Sequence, residues 1–95
     1  MLSKIPLQLA KVKKKDLDKE ILRAGIMAEL DAVSLYEQLA AMTSKAAIRK
    51  ILLDIAREEK THVGEFQALL LQEDREQEQE LRAGAREVRE KTGGR

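Results

Sequence analysis

The stretch that decides the fold is Glu58-Glu59-Lys60-Thr61-His62, taken together with Glu29, thirty positions before Glu59. Glu59 and His62 stand three residues apart, which on an α-helix places both side chains on one face, nearly one turn from each other. A carboxylate and an imidazole at this spacing can bind one metal ion. A Glu-x-x-His pair combined with a lone Glu from a facing helix is a ligand pattern of di-iron and di-manganese helical bundles.

Apolar side chains surround these three polar residues at helical spacing. Taking about 100° per residue, a narrow stripe around Glu29 and another around Glu59 and His62 are otherwise apolar. The stripe members are Leu22, Ile26, Val33, Tyr36 and Ala40 in the first segment and Ile48, Leu52, Ile55, Val63, Phe66 and Leu70 in the second. A carboxylate in such an interface must be protonated, paired or bound to a cation. Both acids are therefore candidate metal ligands.

A turn near Thr43 and Ser44 would pair the two segments as an antiparallel hairpin. Glu29 lies fifteen residues before Ser44 and Glu59 fifteen after it. At about 1.5 Å per residue, both acids lie roughly 22 Å from the turn. We therefore predict that Glu29 faces Glu59, so that two carboxylates and one imidazole converge at one level and form half of a di-metal site.

The composition predicts an all-α fold. Only 2% of the 95 residues are aromatic, Gly and Pro number 5 and 1, and good helix formers dominate the chain. We predict an N-terminal arm at 1–14, a helical hairpin at 15–72, a short C-terminal helix at 74–91 and a frayed tail at 92–95. Thr43 or Ser44 is the expected N-cap of the second helix and Asp74 that of the third. Gly25, inside the first helix, indicates close approach of another helix.

A two-helix hairpin cannot cover its own apolar face, so oligomerisation is expected. A two-fold dimer would complete a four-helix bundle and bring together four Glu and two His side chains, the ligand set of a di-metal centre. Four carboxylates would balance two Fe(II) ions. Carboxylate and imidazole ligands without thiolate suit iron or manganese, while zinc could occupy the site without redox chemistry.

Several partners and site types are disfavoured. Without cysteine, disulfides and zinc-thiolate sites are excluded. No apolar run approaches about 20 residues and no leader is visible, so a cytoplasmic protein without a membrane partner is expected. The net charge is +1, and no aromatic residues interleave with Lys11, Lys13, Lys14 and Lys15. We therefore expect no nucleic-acid partner.

Three further residues lie on the same helix as Glu29 and could contribute to the site or to the surface. Tyr36 is either a core residue or a functional one. In the functional case it would donate a hydrogen bond to a metal ligand, or it would be an electron donor near the metal. Asp31 lies about 160° around the helix from Glu29, so within one chain it cannot join the same site. Without a role in a site, it is expected to be a solvated surface residue. Glu37, on the flank of the stripe, is expected to have a surface role.

Residues 20–72 resemble the encapsulated ferritins, two-helix ferritin-like proteins carried inside encapsulin nanocompartments. The resemblance is carried by residues 28–37 and 51–62, with the thirty-residue Glu-to-Glu interval and the Glu-x-x-His pair. It implies a ferritin-like fold and a ferroxidase that oxidises Fe(II) with O2 at a dimer interface, with Glu29, Glu59 and His62 as ligands and Tyr36 nearby. It also implies a ring of dimers, commonly a decamer, held partly by the C-terminal helix, inside an encapsulin shell where iron is mineralised and stored.

The sequence departs from this family at several positions. Some members have a second acidic site, an entry site that draws metal towards the centre. Its two positions are occupied here by Ala28, which cannot bind metal, and by Asp31, which is therefore the remaining candidate ligand of an entry site. Leu35 stands where some members have Trp. Ala28 and Leu35 resemble the thermophile branch, in which the domain is sometimes fused to the shell protein. The sequence ends at Gly94-Arg95 without a Leu/Ile-Gly docking tail, which indicates a trimmed chain or a missing tail.

Two alternative functions stay open. One is a rubrerythrin-like peroxide reductase, which would need an external electron source because the four cysteines of a rubredoxin-type iron site are absent. The other is a metal-stabilised structural or adaptor bundle, in which zinc or a proton occupies the buried acids. Comparing O2 with H2O2 as oxidant separates the first from a ferroxidase, and the effect of Glu59→Gln separates the second.

Overall fold

A computed structural model of the chain describes residues 8–94, and these residues form three α-helices and two short 3₁₀ turns. The helices are α1 (Leu17–Met42), α2 (Ala46–Glu73) and α3 (Arg75–Thr92). The 3₁₀ turns at Leu9–Lys11 and Lys14–Asp16 precede α1 and contact it. Residues 1–7 of the predicted arm and Arg95 of the predicted tail lie outside the described residues. Within residues 8–94 no strand is present, as the composition predicts.

The turn between α1 and α2 differs from the prediction in its capping residue. The N-cap of α2 is Lys45, which makes no side-chain capping bond, so the assignment of Thr43 or Ser44 was wrong. Thr43 and Lys45 both have extended backbones, so the chain crosses between the helices before α2 begins. The hydroxyl of Thr43 accepts a hydrogen bond from the Lys45 N–H at 3.2 Å. Arg49 donates to the carbonyls of Ala40 and Thr43, satisfying acceptors at the end of α1.

Both ends of α3 follow the sequence expectation. The Asp74 carboxylate accepts a hydrogen bond from the Gln77 N–H at 3.0 Å, so Asp74 is the N-cap that was predicted. At the other end Gly93 adopts a left-handed conformation with φ 87°, which glycine tolerates without steric cost. Asp74 is the single residue between α2 and α3, and it caps the end of α2 and the start of α3.

The core between α1 and α2 is thin. The buried apolar side chains among the described residues are Val33, Ala40, Ala56 and Leu70. Large apolar side chains are exposed along the hairpin and on α3; they include Leu30, Ile48, Ile51, Leu69, Leu81 and Val88. None of the helices in the described part of the chain is long and apolar enough to cross a membrane.

Gly25 of α1 and Phe66 of α2 fix how the hairpin is aligned. A methyl group added at Gly25 would lie 3.2 Å from the Phe66 ring, so the helix backbone and the ring are in direct contact. The expectation that Gly25 marks a close approach is confirmed. Glu29 follows Gly25 by four residues on α1, and His62 precedes Phe66 by four on α2. Glu29 and His62 are therefore the next pair in the same antiparallel register.

Candidate metal centre

Glu29, Glu59 and His62 converge at the α1–α2 interface. His62 Nδ1 lies 3.4 Å from Glu29 Oε2 and 3.4 Å from Glu59 Oε2. One ligand atom from each of the three side chains lies within 4.8 Å of the others, so a single cation could contact all three. The structure therefore brings together the trio that the sequence pattern singled out.

The level at which the helices face each other differs from the prediction. Glu29 was expected opposite Glu59, but it lies against His62, and Gly25 lies against Phe66. The connection between the helices, residues 43–45, is centred on Ser44 as predicted, yet the two contacts pair residues that are not equidistant from Ser44. The site forms nonetheless, because Glu59 and His62 are almost one turn apart and both reach the level of Glu29.

The two carboxylates are mostly shielded and the imidazole is more open. The side chains of Glu29 and Glu59 are 19% and 20% exposed, and that of His62 is 44% exposed. Glu29 Oε2 is buried and accepts no hydrogen bond from any residue within 8–94. A buried polar atom without a partner costs about 1–3 kcal/mol. A bound cation would satisfy this oxygen, so the donor set fits a hard or borderline metal ion such as iron, manganese or zinc.

Nearby basic residues pair elsewhere instead of neutralising Glu29. Lys60 Nζ lies 3.1 Å from Glu37 Oε2, on the exposed flank of the hairpin. This pair gives Glu37 the surface role that was expected. Arg23 pairs with Glu20 and Asp74, at 2.9 Å and 2.8 Å. Neither ion pair places a side-chain cation on the carboxylates of the trio.

Tyr36 and Asp31, the two other candidates, lie at different levels of α1. Tyr36 is half-buried and follows Glu29 by seven residues, which is about 10 Å along the helix axis. Asp31 is 8% exposed, so the expectation of a solvated residue was wrong.

Sequence reasoning missed the pairing of Arg23 with Asp74. The two residues are 51 positions apart, and no local spacing relates them. The Gln77 N–H that donates to Asp74 lowers the pKa of this carboxyl, and Arg23 and Lys19 lower it further against the opposing effect of partial burial. This contact ties the start of α3 to α1, beside the hairpin that carries the candidate metal centre.

Comparison with known proteins identifies similar chains. The sequence model of the family described as EncFtn-like matches residues 6–86. A curated relative from Pyrococcus furiosus, named ferritin-like-encapsulin shell fusion protein, is 62% identical over 74 residues, which are 78% of this chain and 21% of the relative. The chain thus spans about a fifth of the length of that relative.

A solved structure is also similar to the whole hairpin and α3. It is the crystal structure of the encapsulated ferritin domain from Pyrococcus furiosus, with a TM-score of 0.83 and 54% identity over 98% of this chain and 97% of that chain. This likeness, together with the three helices, confirms the predicted all-α, ferritin-like fold.

Proposed function

Because this chain belongs to the EncFtn-like family of encapsulated ferritins, we propose that it is a ferroxidase that oxidises Fe(II) with O2 at a di-iron site shared by two copies of the chain. The observation that carries the proposal is the convergence of Glu29, Glu59 and His62 around a buried carboxylate oxygen that has no hydrogen-bond partner in the described residues. Iron is the substrate of this reaction. Glu29, Glu59 and His62 are the side chains proposed to hold it.

One chain supplies too few ligands for two metal ions, which argues for a dimeric site. Two Glu and one His from each chain would give four carboxylates and two imidazoles around two ions. The four negative charges would offset the charge of two Fe(II) ions, so the buried centre would be close to neutral. The exposed side of His62 and the exposed apolar side chains of the hairpin favour a second copy as the group that completes the site.

The ligand types favour oxidation chemistry with iron. Carboxylate and imidazole ligands without thiolate suit iron and manganese. Each Fe(II) gives up one electron, so a pair of ions reduces O2 to hydrogen peroxide with the uptake of two protons. We propose that Tyr36, about 10 Å from Glu29 along the axis of α1, acts as an electron donor near the centre: where only one Fe(II) is bound, Tyr36 would supply the second electron and its phenolic proton, one further proton would come from solvent, and O2 would again become hydrogen peroxide.

The setting proposed for this activity is the inside of an encapsulin shell. The curated relative is named as a fusion of a ferritin-like part to an encapsulin shell, and this chain matches about a fifth of its length. We propose that Fe(III) made at the dimer interface is mineralised and stored inside such a shell. The exposed apolar side chains of α3, Leu81 and Val88, favour further association of dimers into a ring, with a decamer as the proposed size.

The deciding experiment is aerobic Fe(II) oxidation followed by absorbance, with the oligomer mass measured for each protein. The parent is compared with Glu59→Ala and His62→Ala, and with Glu58→Ala as a control because Glu58 is exposed and adjacent to the trio. We expect the parent and the control to accelerate Fe(III) formation, and the two site variants to lose the acceleration while remaining assembled. If all four match the protein-free rate, the ferroxidase proposal is wrong and the trio is structural. Faster reaction with H2O2 than with O2 would favour a peroxide reductase.

A further inference from the structure

Gly25 occupies a position in α1 where the backbone conformation gives no reason for glycine. The described glycines with positive φ are Gly93 and Gly94, both after α3, whereas Gly25 lies in the middle of a regular helix. Glycine at such a position destabilises a helix by about 1 kcal/mol relative to alanine. A compensating effect must therefore come from its surroundings.

The surroundings of Gly25 are the ring of Phe66. A methyl group at Gly25 would lie 3.2 Å from Cε2 and 3.3 Å from Cδ2 and Cγ of that ring. These distances are shorter than ordinary van der Waals contact, so an added methyl group would require the ring, or the helix that carries it, to move by a few tenths of an ångström. The missing side chain thus allows α1 and α2 to approach each other at this level.

This close contact lies one helical turn from the candidate metal centre. Gly25 precedes Glu29 by four residues and Phe66 follows His62 by four, so the two pairs form adjacent layers of the same interface. Helices are stiff over one turn, and packed interfaces transmit a displacement to the next layer. A change of spacing at Gly25 and Phe66 therefore changes the separation of Glu29 and His62, now 3.4 Å between Oε2 and Nδ1.

We propose that Gly25 and Phe66 are positioning residues that set the spacing and register of Glu29 against His62 for metal binding. This inference deepens the proposed function and rests on it for the identity of the site. Ligand atoms must be held to within about 0.5 Å of a productive geometry, and the few tenths of an ångström that a methyl group at Gly25 requires take up a large part of this tolerance, so metal binding should weaken. Metal affinity and helix stability are then expected to change in opposite directions when Gly25 becomes alanine.

The test uses Gly25→Ala, the double variant Gly25→Ala/Phe66→Leu, and Gly64→Ala as the matched control. Gly64 also lies inside a helix, but a methyl group there would meet nothing within 4 Å. Co(II) binding is measured by calorimetry and absorption, and the metal-free crystal structures of the parent and each variant give the distance from Glu29 Oε2 to His62 Nδ1. We expect Gly25→Ala to lengthen this distance and to weaken Co(II) binding at least about tenfold, equivalent to about 1.4 kcal/mol.

The double variant and the control decide between positioning and general damage. Replacing Phe66 by the smaller leucine gives the new methyl group room, so the double variant is expected to recover the distance and most of the affinity. Gly64→Ala is expected to bind Co(II) as the parent does. An unchanged distance in Gly25→Ala, or no recovery in the double variant, would overturn the positioning role whether or not metal binds. A parent that binds no Co(II) would instead contradict the proposed metal site.

Discussion

Arg23 of α1 donates a hydrogen bond to Asp74, the residue between α2 and α3, with 2.8 Å between Nη2 and Oδ2. The other carboxylate oxygen of Asp74 accepts from the Gln77 N–H, and the Asp74 N–H donates to the carbonyl of Leu70. The Asp74 side chain is only 12% exposed. One residue therefore ends α2, begins α3 and links both to α1, so the direction of α3 depends on it.

Replacing Asp74 should loosen α3 in a graded manner. Asp74→Ala removes both the cap and the partner of Arg23, while Asp74→Asn keeps an acceptor for Gln77 but loses the charge. We expect helix content and melting temperature at pH 7 to fall in the order parent, Asp74→Asn, Asp74→Ala, measured by circular dichroism. Asp54→Ala, which removes an exposed partner of Arg57, is the control and should have little effect. Equal melting temperatures for all these proteins would contradict the role of Asp74.

The same contact predicts a dependence of stability on pH. The pKa of Asp74 is lowered in the folded chain from an ordinary value of 3.8, so its contribution to stability is present above that value and is lost as the pH falls through the lowered pKa. The stability difference between the parent and Asp74→Asn should therefore shrink below about pH 4. Denaturant unfolding at pH 7 and pH 3 measures this, and a constant difference would contradict it.

Glu29→Gln should separate metal binding from folding. The buried Oε2 of Glu29 has no hydrogen-bond partner within residues 8–94, so removing the charge is expected to leave the metal-free protein at least as stable as the parent. At a metal concentration of 100 times the Kd, the parent should gain about 2.7 kcal/mol of stability, and the variant should gain much less. Thermal unfolding with and without Co(II) measures both quantities. Glu37→Gln, on the exposed flank, is the matched control and should keep the gain of the parent. Full stabilisation of Glu29→Gln by Co(II) would remove Glu29 from the site.

Tyr36→Phe should separate metal binding from oxidation. Phenylalanine keeps the ring in place but removes the hydroxyl and the easily oxidised phenol, so we expect unchanged Co(II) affinity and a several-fold slower reaction of bound Fe(II) with O2. Stopped-flow absorbance after anaerobic loading of Fe(II) measures the rate. An unchanged rate would assign Tyr36 to packing alone.

Tyr36 also provides a spectroscopic probe, because the chain has one tyrosine and no tryptophan. Co(II) bound about 10 Å away along α1 should quench its fluorescence in the parent. The same titration of His62→Ala should leave the fluorescence nearly unchanged. Equal quenching in both proteins would place the metal elsewhere.

A charge on the exposed apolar face of the hairpin should separate the proposed dimer. Ile51 is 56% exposed in the single chain and adjoins a shallow apolar hollow formed with Ala47, Ile48 and Leu52. Losing the burial of such a side chain costs roughly 1.5–3 kcal/mol, which corresponds to about a ten- to hundred-fold weaker dimer. Ile51→Glu should therefore lower the oligomer mass in dilute solution, measured by light scattering, and reduce Fe(II) oxidation with it.

Ala68→Glu is the control for this change, because it adds the same charge to α2 at an exposed position about 180° from Glu59. It should keep the mass and the activity of the parent. A monomeric Ile51→Glu variant with full activity would show that one chain is sufficient, and would contradict the shared di-iron site.

The sequence alone was sufficient to predict the three α-helices of this fold, because each follows from local chemistry. The period of apolar residues predicted two long helices, and Asp74 predicted the start of the third within the chain. The spacing of Glu59 and His62, with Glu29 on a second apolar stripe, identified the cluster. These are properties of one or two helical turns, which the intrinsic geometry of the helix determines.

Only the tertiary structure decided how these elements meet. The contacts across the hairpin depend on how the two helices pack, and Glu29 Oε2 lies 3.4 Å from His62 Nδ1 within the same cluster that holds Glu59. Asp31 is buried, although its angular position on the helix relative to Glu29 predicted a solvated residue. Arg23 and Asp74 are 51 residues apart, and their contact exists only once α3 is placed. Local pattern thus determined which residues share a face, whereas packing determined which faces touch and at what level.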